Sequence, residues 1–168
     1  MLIRLAQEAD CERIGALWSQ LVDYHRALDS NMPEAAADGV QRYAARIASL
    51  LDDPQTRTYV AEVDERIVGY ITGTIADMRP EVFAEEVIGF IGDVFVEEGS
   101  RGIGIGHALV QAMEQFFASR GVFNYEWHVA SANTAGQAFW RRLGGQDVVI
   151  RMRNRVRLAE DETANASD

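Results

Sequence analysis

The chain has 168 residues, 48% hydrophobic and 25% charged, which fits one globular domain that buries about two-thirds of its unfolded surface. Its net charge of −10 argues against broad nucleic-acid binding and suits a cationic small substrate. One cysteine, Cys11, excludes an internal disulfide framework, no apolar run reaches the ~20 residues of a membrane span, and Arg4, Glu8 and Asp10 break any leader pattern, so a cytoplasmic protein off the membrane is expected.

Ile3 and Leu5 alternate with polar neighbours and predict a first strand. Asp10 is placed to cap a helix carrying Ile14, Leu17, Trp18, Leu21 and Val22. Asp29, Ser30, Asn31 and Pro33 break it, and Val40, Tyr43, Ala44, Ile47 and Leu51 predict a second helix. Two strands flank Asp64-Glu65-Arg66, a hairpin pattern. A reversal is expected at about 78 to 83, around Pro80, followed by a long central strand at 86 to 96. Gly89 and Gly92 inside that strand suggest a bulge or a close backbone approach. A helix at about 104 to 119, a strand at 123 to 129, and a helix from Thr134 to Leu143 stopped by Gly144-Gly145 complete the pattern. Arg151, Arg153, Arg155 and Arg157 alternate with Met152, Asn154 and Val156, predicting a terminal strand with one guanidinium face, read as charge protection of an edge. One domain over 1–158 and an acidic, disordered tail over 159–168 are expected.

Arg101-Gly102-Ile103-Gly104-Ile105-Gly106 is the most informative stretch. It follows the apolar run Val94-Phe95-Val96 and opens into a helical pattern. Strand, glycine turn and helix start together bring backbone N–H groups to an anion, and a pyrophosphate is the natural guest. The dinucleotide fingerprint G-x-G-x-x-G fails, because its third glycine falls on His107 or Leu109. The phosphate loop G-x-x-x-x-G-K-[ST] also fails, since all 16 basic residues are arginine. R-x-x-G-x-G fits. With Val129, Asn133 and Phe139-Trp140-Arg141-Arg142-Leu143-Gly144 downstream, the chain resembles the GNAT-superfamily acyltransferases.

That resemblance implies a mixed, mostly antiparallel sheet of six to seven strands, an α/β (α+β) fold with helices on both faces and a splayed parallel strand pair. It implies an acetyl-CoA-dependent N-acetyltransferase whose acceptor is a primary amine of a small molecule or peptide. Val94, Phe95 and Val96 would hold pantetheine. Arg101, Gly102, Ile103, Gly104, Ile105 and Gly106 would hold pyrophosphate, and Asn133 and Trp140 would touch the cofactor arm. No metal and no nucleic acid are implied, and a homodimer is compatible with the reading. Trp140 stands where many members carry Tyr, and an indole is no acid at neutral pH. Tyr125 and Tyr70 are alternative proton donors. Asp93 is the first candidate for the base, with Glu62, Glu126 and His128 behind it. The missing phenol keeps a second class open, a catalytically silent acyl-CoA-binding sensor or assembly domain.

Overall fold

The computed structural model describes residues 1–77, 82, 84 and 86–154. The chain divides into two compact units, residues 1–134 and 135–168.

The first unit is built on one sheet in sequence order: β1 (Leu2–Leu5), β2 (Thr56–Val63), β3 (Arg66–Ala76), β4 (Ile88–Val96) and β5 (Tyr125–Trp127). The first four strands run antiparallel, and β4 pairs with β5 in parallel. That pair is joined through α3 (Ile105–Ser119), the crossover that a parallel connection requires. The β2–β3 hairpin turns on Asp64 and Glu65, both at positive φ (49° and 61°), the backbone that matches strand twist in a two-residue turn.

Helices α1 (Cys11–Leu28) and α2 (Gly39–Leu50) bury Cys11, Ile14, Leu17, Leu21, Tyr43 and Ile47 in one cluster with Val60, Tyr70 and Phe95. Helix α3 takes the opposite face, setting Met113 and Phe117 against Gly73 and Gly89. Asp10 precedes α1 at the N-cap, as its sequence position suggests, but its carboxylate does not cap the helix. It accepts two bonds from Arg4, at 2.6 Å and 3.0 Å, and one from the Gln7 N–H. A 3-10 turn over Glu8–Asp10 already gives Asp10 helical dihedrals, which turn its side chain back towards Gln7.

One irregularity in the β3–β4 ladder decides which face Asp93 takes. Ile91 lies opposite Gly73 and Asp93 opposite Thr72, so Gly92 is a one-residue bulge. In a regular strand Gly89, Ile91 and Asp93 would share a face. Gly89 meets Phe117 of α3. The bulge moves Asp93 and Phe95 to the other side, where Asp93 reaches Tyr43 and Phe95 joins the α1–α2 core.

In the second unit, α4 (Thr134–Arg142) ends as expected on Gly144, at φ +93°. The Gly144 N–H bonds the Arg141 carbonyl, and the Gly145 N–H bonds that of Trp140. The sheet has five strands among the described residues, fewer than expected. Residues 146–154 are not a strand, and Val148, Val149, Ile150 and Met152 are exposed. Alternation tells which face each side chain would take in a ladder, but it does not supply the ladder. Arg155 and Arg157, the reversal around Pro80 and the acidic tail lie outside the described residues.

Candidate active site

Strand β4 runs out at Val96, and a 3-10 turn over Glu98–Ser100 leads to the glycine turn. Gly102 (φ +82°) and Gly104 (φ +89°) are left-handed, a region where side chains are strained. A Cβ built on either meets nothing within 4 Å, so both sit in open space. Gly104 is the N-cap of α3, and its carbonyl accepts from Ala108, the first amide bonded within the helix. The amides of Ile105, Gly106 and His107 therefore have no intrahelical acceptor. No acidic residue stands in that first turn to compete for them. Ile105 is buried and anchors the helix start, whereas Ile103 is exposed at the tip and His107 faces solvent. The turn thus has the backbone and the room to take a pyrophosphate.

Beside the turn, the parallel pairing stops. β4 and β5 are in register only from Gly89↔Tyr125 to Ile91↔Trp127. Among the described residues, residues 93–96 of β4 continue the ladder with β3 alone. Val94, Phe95 and Val96 thus have one strand side without a strand partner among the described residues. Arg101 folds back over this stretch. Its Nε donates to the Val96 carbonyl at 2.9 Å, and its guanidinium lies 5.5 Å from the Phe95 ring and 5.2 Å from the Tyr24 ring.

Asp93 stands where β4 leaves β5. Its Oδ2 accepts from the Tyr43 hydroxyl at 2.6 Å. Burial pushes the Asp93 carboxyl up, opposed by that hydrogen bond and by the charges of Arg46 and His25. Burial and the neighbouring carboxylate push the Tyr43 phenol far up, so it remains a donor. Burial pulls the His25 imidazole down, against the pull of Asp93, leaving it neutral at neutral pH. Asn133 joins the same side: its Oδ1 accepts from the Tyr24 hydroxyl at 3.3 Å, and its Nδ2 lies 3.5 Å from His25 Nε2. The Tyr70 hydroxyl is buried with no hydrogen-bond partner among the described residues.

The remaining candidates are not gathered at Asp93. Glu62 lies on β2, beyond β3, with its carboxylate 2.9 Å from Arg4 Nε. Tyr125 points to the α3 face, where its hydroxyl donates to Glu114 at 2.7 Å. Glu126 is exposed opposite Phe90, on the same sheet face as Asp93, and His128 packs edge-on against Phe90. Trp140 belongs to the second unit, where it is buried and meets Phe139 edge-on. Tyr43 and His25 stand beside Asp93, and the sequence does not single them out. The polar tip of Tyr43 within an apolar helix stripe is the one signal that points to it, because a buried phenol needs a partner. Among the described residues no group of three His, Cys, Asp or Glu side chains could hold a metal ion, and no helix is long and apolar enough to cross a membrane.

The parallel pair thus ends close to a left-handed glycine turn and a helix start with unbonded amides. The chain belongs to the acetyltransferase (GNAT) family, which it matches over residues 18–145. It is 33% identical over 90 residues to an uncharacterized N-acetyltransferase of Methanocaldococcus jannaschii, covering 53% of this chain and 52% of that protein. It is 35% identical over 99 residues to the L-2,4-diaminobutyric acid acetyltransferase of Nocardia farcinica, covering 56% and 48%. The chain thus spans about half the length of these relatives. A mutant of the BH1408 protein from Bacillus halodurans superposes with a TM-score of 0.83 at 21% identity, covering 93% of this chain and 99% of that one. A Clostridium acetobutylicum protein described as a predicted acetyltransferase, solved with acetyl-CoA, superposes at 0.72 with 17% identity, covering 92% and 95%. At these identities the two structures show a shared fold.

Proposed function

We propose that the chain moves an acetyl group from acetyl-CoA to a primary amine of a small molecule or peptide. The observation that carries this reading is the end of the β4–β5 pairing beside the glycine turn, with Asp93 just beyond it. Acetyl-CoA supplies an acetyl group activated as a thioester. The amides at the start of α3 bind its pyrophosphate, and the open edge of 92–96 takes the pantetheine arm, for which the Arg101 side chain vacates the Val96 carbonyl. Arg101, so released, stands beside the phosphates. Asp93 takes the proton of the acceptor ammonium, directly or through one water. The amine nitrogen then bonds to the thioester carbon as the carbon–sulfur bond breaks; the nitrogen gives its surplus proton to solvent, and the thiolate takes a proton from solvent. A thiol is a fair leaving group, so Trp140 in place of a phenol does not prevent the reaction. The name of the Nocardia relative and the acidic surface both favour a cationic amine. A cytoplasmic setting suits this co-substrate.

Trp140 also favours a second reading, an acyl-CoA-binding domain without turnover, because the indole supplies no acid. One assay separates the two. Thiol release from acetyl-CoA is followed across a panel of diamines, amino acids, aminoglycosides and peptides. Release that depends on an amine supports transfer. Tight acetyl-CoA binding with no release above background on any amine supports the silent domain.

A further inference from the structure

Two oxygens of Asp93 have different surroundings. Oδ2 accepts the 2.6 Å bond from Tyr43, and Oδ1 has no hydrogen-bond donor among the described residues. The Tyr43 ring is held on both sides: it stacks on Trp18 at 4.9 Å and 9°, and meets Tyr70 edge-on at 6.2 Å. Its helix is pinned one turn later by Ile47, which is buried in the same cluster. A hydroxyl fixed this firmly fixes whatever it bonds.

We propose that Tyr43 is a positioning residue for acetyl transfer: its hydroxyl clamps Oδ2 of Asp93 and leaves Oδ1 as the oxygen that meets the acceptor amine. The assignment rests on the acetyltransferase reading above and adds a residue to it. The groups that act on Asp93 are Tyr43 and Arg46 from α2, His25 from α1, and Tyr70 from β3. Among the described residues only Tyr43 hydrogen-bonds its carboxylate. Arg46 and His25 act through charge, and His25 is neutral over most of the working range, so the hydroxyl is the directional contact. Without it the buried carboxyl would hold its proton to higher pH and would be free to rotate.

The test is Tyr43→Phe, which keeps the ring in its stack and removes the hydroxyl alone. The rate limb on the acid side should move up by about one to two pH units, the hold of a hydrogen bond on a charged acceptor. The plateau kcat should fall about tenfold or more, as for a misplaced catalytic group. KM for acetyl-CoA should stay at the parent value. In the double variant with Asp93→Asn, kcat should match Asp93→Asn alone, because Tyr43 acts through Asp93. In the unsubstituted protein, the Tyr43 hydroxyl proton should resonate downfield and shift over the same pH range as the rate. This measurement decides the matter even where Tyr43→Phe does not fold. An active parent with an unmoved pH limb in Tyr43→Phe, additive losses in the double variant, or a hydroxyl signal that ignores the rate limb each overturn the assignment alone. A parent inactive on every amine overturns the transfer reading and this assignment together.

Discussion

The Cβ that Gly89 lacks would stand 2.6 Å from Cε2 of Phe117. Helix α3 lies this close to the sheet because β4 offers no side chain there. Gly89→Ala must push a packed aromatic ring and should lower stability by about 1–3 kcal/mol. Gly92, three residues on, is the contrast. A Cβ there meets Thr72 Cγ2 at 3.5 Å, an ordinary contact, and its φ needs no glycine. Gly92→Ala should leave stability within about 0.5 kcal/mol of the parent. Urea denaturation of both variants checks the pair, and equal losses would refute the packing argument.

Asp93→Asn should lower kcat by ~10²-fold while acetyl-CoA affinity holds. It should also stabilise the protein at neutral pH. The folded-state pKa of Asp93 is raised, so folding favours the protonated carboxyl. The stability this carboxyl contributes is full below its unfolded value and is lost as pH rises through the higher folded value. Asparagine keeps an acceptor for Tyr43 and has no charge to bury. Melting curves at pH 7 and at pH 3.5 test the sign: the variant should gain only at the higher pH.

Gly104→Val places a branched side chain at φ +89°, with open space around it. Backbone strain should lower stability by about 1–3 kcal/mol without unfolding the domain. The side chain would project where the pyrophosphate is proposed to lie, so calorimetry should show acetyl-CoA affinity reduced at least tenfold. Unchanged affinity would remove the turn from the site.

Asp10 supports the acid limb of stability. The hydrogen bond from Arg4 holds its carboxyl below the usual range, against the opposing effect of burial. Its contribution is present above the unfolded value and is lost as pH falls through the lower folded value. Asp10→Ala should cost about 2 kcal/mol at pH 7, since Arg4 keeps Glu62 as a partner. The gap from the parent should close as the pH falls below about 4. Urea midpoints at pH 7 and pH 3 measure it, and a constant gap would assign the loss to packing.

The parts of the site written in local sequence are legible from residue type and spacing. The glycine turn shows itself by composition, and of the two strand glycines Gly92 is the bulge the sequence suggests, while Gly89 makes room for the Phe117 side chain. Asp93 is visible as a charge inside an apolar strand. What depends on distant partners is not legible. Glu62 has the look of a cleft carboxylate, yet Arg4, 58 residues away, claims it. Tyr43 reads as core in its helix stripe, and Asp93, 50 residues further on, reveals its hydroxyl's use. Tyr125 alternates correctly in β5, but alternation does not say which face carries the chemistry. The terminal arginine pattern likewise names a face without a ladder.

With one unpaired residue setting its parity, β4 makes the location of the proposed base a matter of counting. A substitution can change what group stands at position 93. Only an insertion or deletion between Gly89 and Asp93 would move that group to the α3 side of the sheet, away from α1 and α2. Copying errors of the two kinds would therefore have unequal consequences if Asp93 is the base: point changes would grade the proposed activity, whereas a single codon gained or lost within this stretch would remove it in one step.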